Sequence, residues 1–255
     1  MQSRGNSRGC LRFTFLGVPT TIYPSSWLML LILGSSVGGA QMDILPTLIF
    51  VVVGMFILLV HEYGHAFTGI ALGGGSAVVE IASLGGMTYS SCPPGSRFRQ
   101  LITVLAGCGA TLLLAVLGGA VMALQLGVAP LKGAVYALCM PLSFAVSPEL
   151  EAWCFQPIFE QLSGGGIGYF NYLCYHTLFV VSVWWSLYNL LPIMPMDGGK
   201  ALLFLTNSIR FTAIVGLTLS VILFAVGLVQ FNVFALLISA YFVWLNWRYI
   251  RLSKR

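Results

Sequence analysis

Charged residues are scarce in this sequence: seven acidic and twelve basic side chains make up 7% of 255 positions. A soluble domain carries roughly 25%, so a molecule with a continuous water-facing surface is excluded. The chain belongs in lipid. Histidine is rarer still, at three residues, and no cysteine pair has the C-x-x-C spacing of a zinc ribbon or dithiol redox site. The six cysteines, Cys10, Cys92, Cys108, Cys139, Cys154 and Cys174, read mostly as small buried hydrophobes. Disulfide pairing among Cys139, Cys154 and Cys174 stays open. There is no internal repeat and no low-complexity linker, so residues 1–255 are expected to form one membrane-embedded domain. The net charge of +5 is no nucleic-acid signature, because the basic residues flank apolar runs, as membrane topology requires.

What the sequence does have is apolar length. Hydrophobic residues make up 58% of it, enough for an all-α bundle of about six transmembrane helices. These fall around residues 27–33, 44–72, 101–124, 169–191, 211–229 and 231–247. Gly73-Gly74-Gly75 stops the second, and the last two close as a hairpin around Gln230. A cleaved signal peptide ending near Gly38-Gly39-Ala40 is the alternative for the first run, weakened by the late start of its apolar core.

The charges orient these spans. Arg4, Arg8 and Arg12 precede the first, Arg97 and Arg99 follow the second, Lys200 and Arg210 follow the fourth, and Arg248, Arg251, Lys254 and Arg255 follow the sixth. Eleven of twelve basic residues thus share one face, which the positive-inside rule makes cytosolic. Both termini lie there, as a tail at 1–12 and a basic tail at 248–255. Asp43, Lys132, Glu149, Glu151 and Glu160 fall on the external face. One extra crossing within 131–146 would invert every later loop, so the external stretch 128–168 is expected to hold a re-entrant or interfacial helix.

Two of the three histidines stand in His61-Glu62-Tyr63-Gly64-His65, inside the second span. Residues four apart on a helix are offset by about 40°, so both imidazoles face one way and can share a metal. Glu62 lies about 100° round, where it reaches a water rather than the ion. This is the H-E-x-x-H zinc arrangement with the glutamate as general base, placed where ionisable groups are costly. Catalytic zinc takes a third protein ligand. The best candidate is Asp197, after Pro192 and Pro195 break the fourth helix and before Gly198-Gly199, which would permit a sharp turn. Val78-Val79-Glu80-Ile81 is β-prone, and Gly85-Gly86 can turn it into a hairpin with Met87-Thr88-Tyr89.

These blocks resemble the site-2 proteases, intramembrane zinc metalloproteases. His61 to His65 resembles their motif in the second core helix, and Leu84-Gly85-Gly86-Met87 the glycine pair of their membrane-re-entrant β-hairpin. Asn189 to Gly199 is similar to their Asn-x-x-Pro…Asp-Gly block. The order of blocks, with no inserted PDZ domain, is most similar to the compact branch containing the sporulation-factor-processing protease. Ala106-Gly107-Cys108-Gly109-Ala110-Thr111 departs from the family's Ala-Gly-Pro and following asparagine.

The resemblance implies one catalytic Zn2+ on His61, His65 and Asp197, with Glu62 as base. It implies that Asn189, Gly85 and Gly86 handle substrate backbone, and that the substrates are membrane-spanning proteins. Two rivals stand beside it. One is a prenyl-protein-processing zincin, whose third ligand would be a glutamate such as Glu149 or Glu151. The other is a non-enzymatic metal transporter or sensor, which would have no use for Glu62.

Overall fold

The computed structural model describes residues 9–37, 44–83, 85–91 and 95–253. Gly38-Gly39-Ala40, Asp43, Leu84, Cys92 and the outermost parts of both basic tails lie outside the described residues. The fold opens with a hairpin that the sequence reading did not foresee. Strands β1 (Leu11–Phe15) and β2 (Val18–Ile22) pair antiparallel around Leu16 and Gly17, both at positive φ. Arg12, expected to end a cytosolic tail, is therefore paired with Thr21 inside a strand. Helices α1 (Pro24–Val37) and α2 (Ile44–Gly73) follow and pack together.

Strands β3 (Ala77–Ala82) and β4 (Gly85–Ser90) form a hairpin where one was expected, but Gly85 and Gly86 are not its turn: they begin β4, paired with Ala82 and Ile81. It is not isolated: β2 pairs parallel to β3, giving a four-stranded sheet in the order β1-β2-β3-β4. Between paired strands β2 and β3 the chain makes the whole α1–α2 excursion, so the near end of α1 and the far end of α2 meet at one sheet. Val18, Ile22, Val79 and Ile81 alternate with more exposed neighbours and bury against Met55, Leu58 and Ala66 of α2. A 2.8 Å bond between Thr20 Oγ1 and Tyr63 OH joins β2 to the metal-motif helix.

Helix α3 (Arg97–Gln125) starts on a Ser96 cap. The 128–168 stretch is not one helix but several short ones. Helix α4 (Pro130–Cys139) is followed by a 3₁₀ turn, α5 (Pro148–Leu150), a π-helical segment (Glu151–Phe155) and α6 (Gln156–Ser163). Gly119 of α3 and Gly133 of α4 face each other so closely that a Cβ on either would strike the other's carbonyl. Ten residues span about 15 Å, too little to cross a bilayer, so α4 folds back along the end of α3.

Helices α7 (Tyr169–Asn189), α8 (Asp197–Thr206), α9 (Ile209–Val229) and α10 (Val233–Leu252) complete the chain. Among the described residues α2, α3 and α9 are long and apolar enough to cross a membrane, and α1 is a shorter apolar helix. Large apolar side chains such as Val52, Leu113, Leu117 and Val221 point outward from these helices. A water-soluble protein does not present such surfaces over several helices. The molecule is a mostly helical membrane protein with a small sheet.

Candidate metal centre

The α2 helix carries His61 and His65 on one face, one turn apart, and both rings turn toward the start of α8. Their Nε2 atoms lie 3.2 Å apart, and Asp197 Oδ2 stands 3.1 Å from His61 Nε2 and 3.0 Å from His65 Nε2. His61 and Asp197 are buried, and the His65 side chain is 12% exposed.

The outer atoms of the same groups explain why the inner ones converge. His65 Nδ1 donates to the Thr103 carbonyl at 2.8 Å, which leaves its Nε2 with a lone pair. Asp197 Oδ1 is held at 3.1 Å by the Lys200 ammonium one turn along α8, so Oδ2 is the oxygen offered inward. The His65 nitrogen and a carboxylate oxygen thus meet as acceptors with His61 Nε2 beside both, an arrangement that a cation stabilises. The donor set suits zinc. A tetrahedral ion with bonds of about 2.0–2.1 Å keeps its donors roughly 3.3 Å apart, close to this triangle.

Asp197 reaches the site because the chain breaks at Leu190 and turns through the proline segment, whose Met194–Pro195 bond is cis. The expectation of a sharp turn at Gly198-Gly199 is not met: both residues lie in the first turn of α8. Their role is close approach, since a Cβ on Gly198 would strike the Leu190 carbonyl and one on Gly199 the Ile193 backbone. The segment is pinned from α10 by Asn246, fully buried, which accepts from Met194 N at 3.3 Å and donates to the Met194 carbonyl at 3.0 Å. The sequence reading missed Asn246. A single asparagine in an otherwise apolar span was the available signal.

Glu62 is buried beside the histidines, with a carboxylate oxygen within 4.8 Å of their ring nitrogens. Thr88 Oγ1 of β4 lies 2.8 Å from Glu62 Oε2 and 3.1 Å from the Glu62 carbonyl; the charged oxygen is the stronger acceptor for its one hydrogen. Gly86 sits against the same carboxylate, and a Cβ there would overlap Glu62 Cγ, Cδ and Oε1. Gly85, at φ +116, starts β4 next to the Trp185 ring. The hairpin therefore reaches the site through Gly86 and Thr88.

Asn189 lies at the end of α7, where its Nδ2 donates to the Trp185 carbonyl at 2.9 Å. On α3, a Cβ at Gly107 would collide with His65 Nε2 and come within 2.9 Å of His61 Cε1. Gly64, inside the motif, is matched to the Ala106 carbonyl in the same way. Cys108, read as a buried hydrophobe, is buried, and its thiol stands within 4.8 Å of donor atoms of His61 and Asp197. His176 packs by Tyr172, away from this centre, and Glu149 and Glu151 are exposed on the segment beyond α4.

No protein-family model and no curated protein matches the sequence. In three dimensions the chain is similar to the site-2 protease from Methanocaldococcus jannaschii. The TM-score is 0.57, covering 94% of this chain and 95% of that one at 17% sequence identity. The two proteins share a fold across nearly their whole length.

Proposed function

We propose that the chain is an intramembrane zinc metalloprotease of the site-2 type, in the compact branch without a PDZ insertion. The observation that carries the reading is the 3.0–3.2 Å triangle of His61 Nε2, His65 Nε2 and Asp197 Oδ2, with Glu62 beside it. The whole-chain fold supports it. His61, His65 and Asp197 would hold zinc, which would supply Lewis acidity for the water and the peptide carbonyl. Glu62 takes the proton of the attacking water and returns it to the leaving amine. Thr88 and Gly86 fix where that carboxylate sits. Strand β4 is the edge of its sheet on the Glu62 side, so it can receive an unwound substrate segment as an added strand. Asn189, at the end of α7, is a further candidate to bond the same substrate backbone.

The rival with a glutamate as third ligand has no support in the geometry, because Glu149 and Glu151 are exposed while Asp197 sits against both histidines. A transporter or sensor leaves Glu62, and the glycine and threonine that hold it, without a purpose. Substrates are membrane-spanning proteins. The deciding experiment incubates purified protein in bilayers with a panel of single-span substrates, with and without a chelator. Chelator-sensitive cleavage is expected; zinc flux without cleavage would give the reading to the transporter.

Gly86→Ala tests the position of Glu62. An added methyl must displace that carboxylate, so cleavage should fall on the order of 10²-fold while bound zinc stays stoichiometric. Unchanged cleavage would show that the carboxylate tolerates the shift.

Both termini and the loop bearing Arg97 and Arg99 are proposed to be cytosolic, from the placement of the basic residues. The β2–β3 pairing supports a common side for the β1–β2 and β3–β4 hairpins, because α1 and α2 must go out and return. Cysteine-accessibility labelling on a cysteine-free background should mark positions 4, 97 and 254 from the cytosol and positions 149–160 from outside. Cytosolic labelling of 149–160 would reverse the orientation of that segment.

A further inference from the structure

We propose that the indole N–H of Trp185 is a substrate-backbone donor, bonding a carbonyl of the strand laid beside β4. The inference rests on the protease reading above and adds a residue that neither the motif nor the fold supplies. Trp185 lies on α7, four residues before Asn189. Its ring stands between two parts of the site. It packs edge-on against His61, with ring centroids 6.2 Å apart at 84°. Its Cη2 and Cζ2 atoms are 3.4 and 3.5 Å from the Cβ position of Gly85, the first residue of β4.

Covalent structure then places the nitrogen. In an indole, Cζ2 is bonded to Cε2 and Cε2 to Nε1, so the nitrogen is two bonds from an atom in contact distance of the start of β4. That nitrogen is buried and has no hydrogen-bond partner among the described residues. A buried indole N–H left unpaired is costly, and tryptophans in such places ordinarily find an acceptor. His61 Nδ1 is a second buried nitrogen without a partner, on the adjacent ring. Once His61 binds metal through Nε2, its Nδ1 carries the hydrogen. Two donors on neighbouring rings then lack acceptors, one of them on the ring that touches the first residue of β4. Asn189 Nδ2 is bonded to the Trp185 carbonyl, which holds this turn of α7 in place and commits part of the amide nearest by sequence.

The test is Trp185→Phe, which keeps an aromatic ring and deletes the N–H, assayed with a cleavable single-span substrate in proteoliposomes. Bound zinc should remain stoichiometric, while kcat/KM falls on the order of 10-fold, the scale for leaving one substrate carbonyl without its donor. A second measurement is made on protein that keeps Trp185. In otherwise native protein carrying Glu62→Gln to spare the substrate, the 15N-labelled indole signal missing from the Trp185→Phe spectrum should shift on substrate addition. Wild-type kcat/KM in Trp185→Phe, or an unmoved indole signal with substrate bound, overturns the proposal. Failure of the protease reading looks different: the wild type itself then cleaves no substrate.

Discussion

Asp197→Asn is expected to yield a protein that has lost zinc and nearly all cleavage. The substitution preserves side-chain shape but removes the charge facing the two Nε2 atoms. In the native arrangement Oδ2 lies 3.0–3.1 Å from both, and Oδ1 is held by Lys200. An amide could rotate to offer its oxygen inward, but it carries no net charge to offset a dication in a buried, membrane-level site. Zinc affinity should fall by more than the roughly 10–100-fold typical of losing an outer-shell partner. Lys200 is 46% exposed at its side chain, so the ammonium it leaves behind is met by solvent rather than stranded. Glu149→Gln, Glu151→Gln and His176→Ala should leave zinc content unchanged. Metal analysis after gel filtration, with competition against a chelator, reads the effect. Stoichiometric zinc in Asp197→Asn would remove Asp197 from the ligand set.

Glu62→Gln should separate metal from chemistry. The glutamine can still accept from Thr88 and fits the same space against Gly86, so the hairpin keeps its place. What is lost is a base able to take and return a proton, which should cost at least about 10²-fold in cleavage rate. Zinc content should stay near one per chain. Loss of zinc along with activity would mean that Glu62 is a ligand rather than a base.

The sequence made much of this centre legible because its parts follow short-range rules. His61 and His65 are linked by helical spacing, and Asp197 by the prolines that end α7. The span boundaries at 44–73 and 209–229 follow from apolar runs closed by glycine or polar residues. Other parts depend on partners far along the chain. Asn246 meets Met194 fifty-two residues away, and Thr88 meets Glu62 twenty-six away. No periodicity announces such pairs. Gly107 and Gly198 are glycines because of what packs on them, so their necessity shows only when the neighbouring helix or loop is in place. The β1–β2 hairpin was legible and missed. Leu16-Gly17 stands between two β-prone runs, and length alone should have flagged it as a two-residue turn.

The parallel pairing of β2 with β3 imposes a timetable on synthesis. Ile22 pairs with Ile81, and everything between them must be translated and lodged in the bilayer before the sheet can close. At about 5–20 residues per second that is a delay of roughly 3–12 s. Through that interval β2 has one neighbour instead of two, and Leu11, Phe13 and Phe15 add apolar surface on its outer side. The nascent first hairpin therefore needs a temporary host, such as the headgroup layer or an insertion factor.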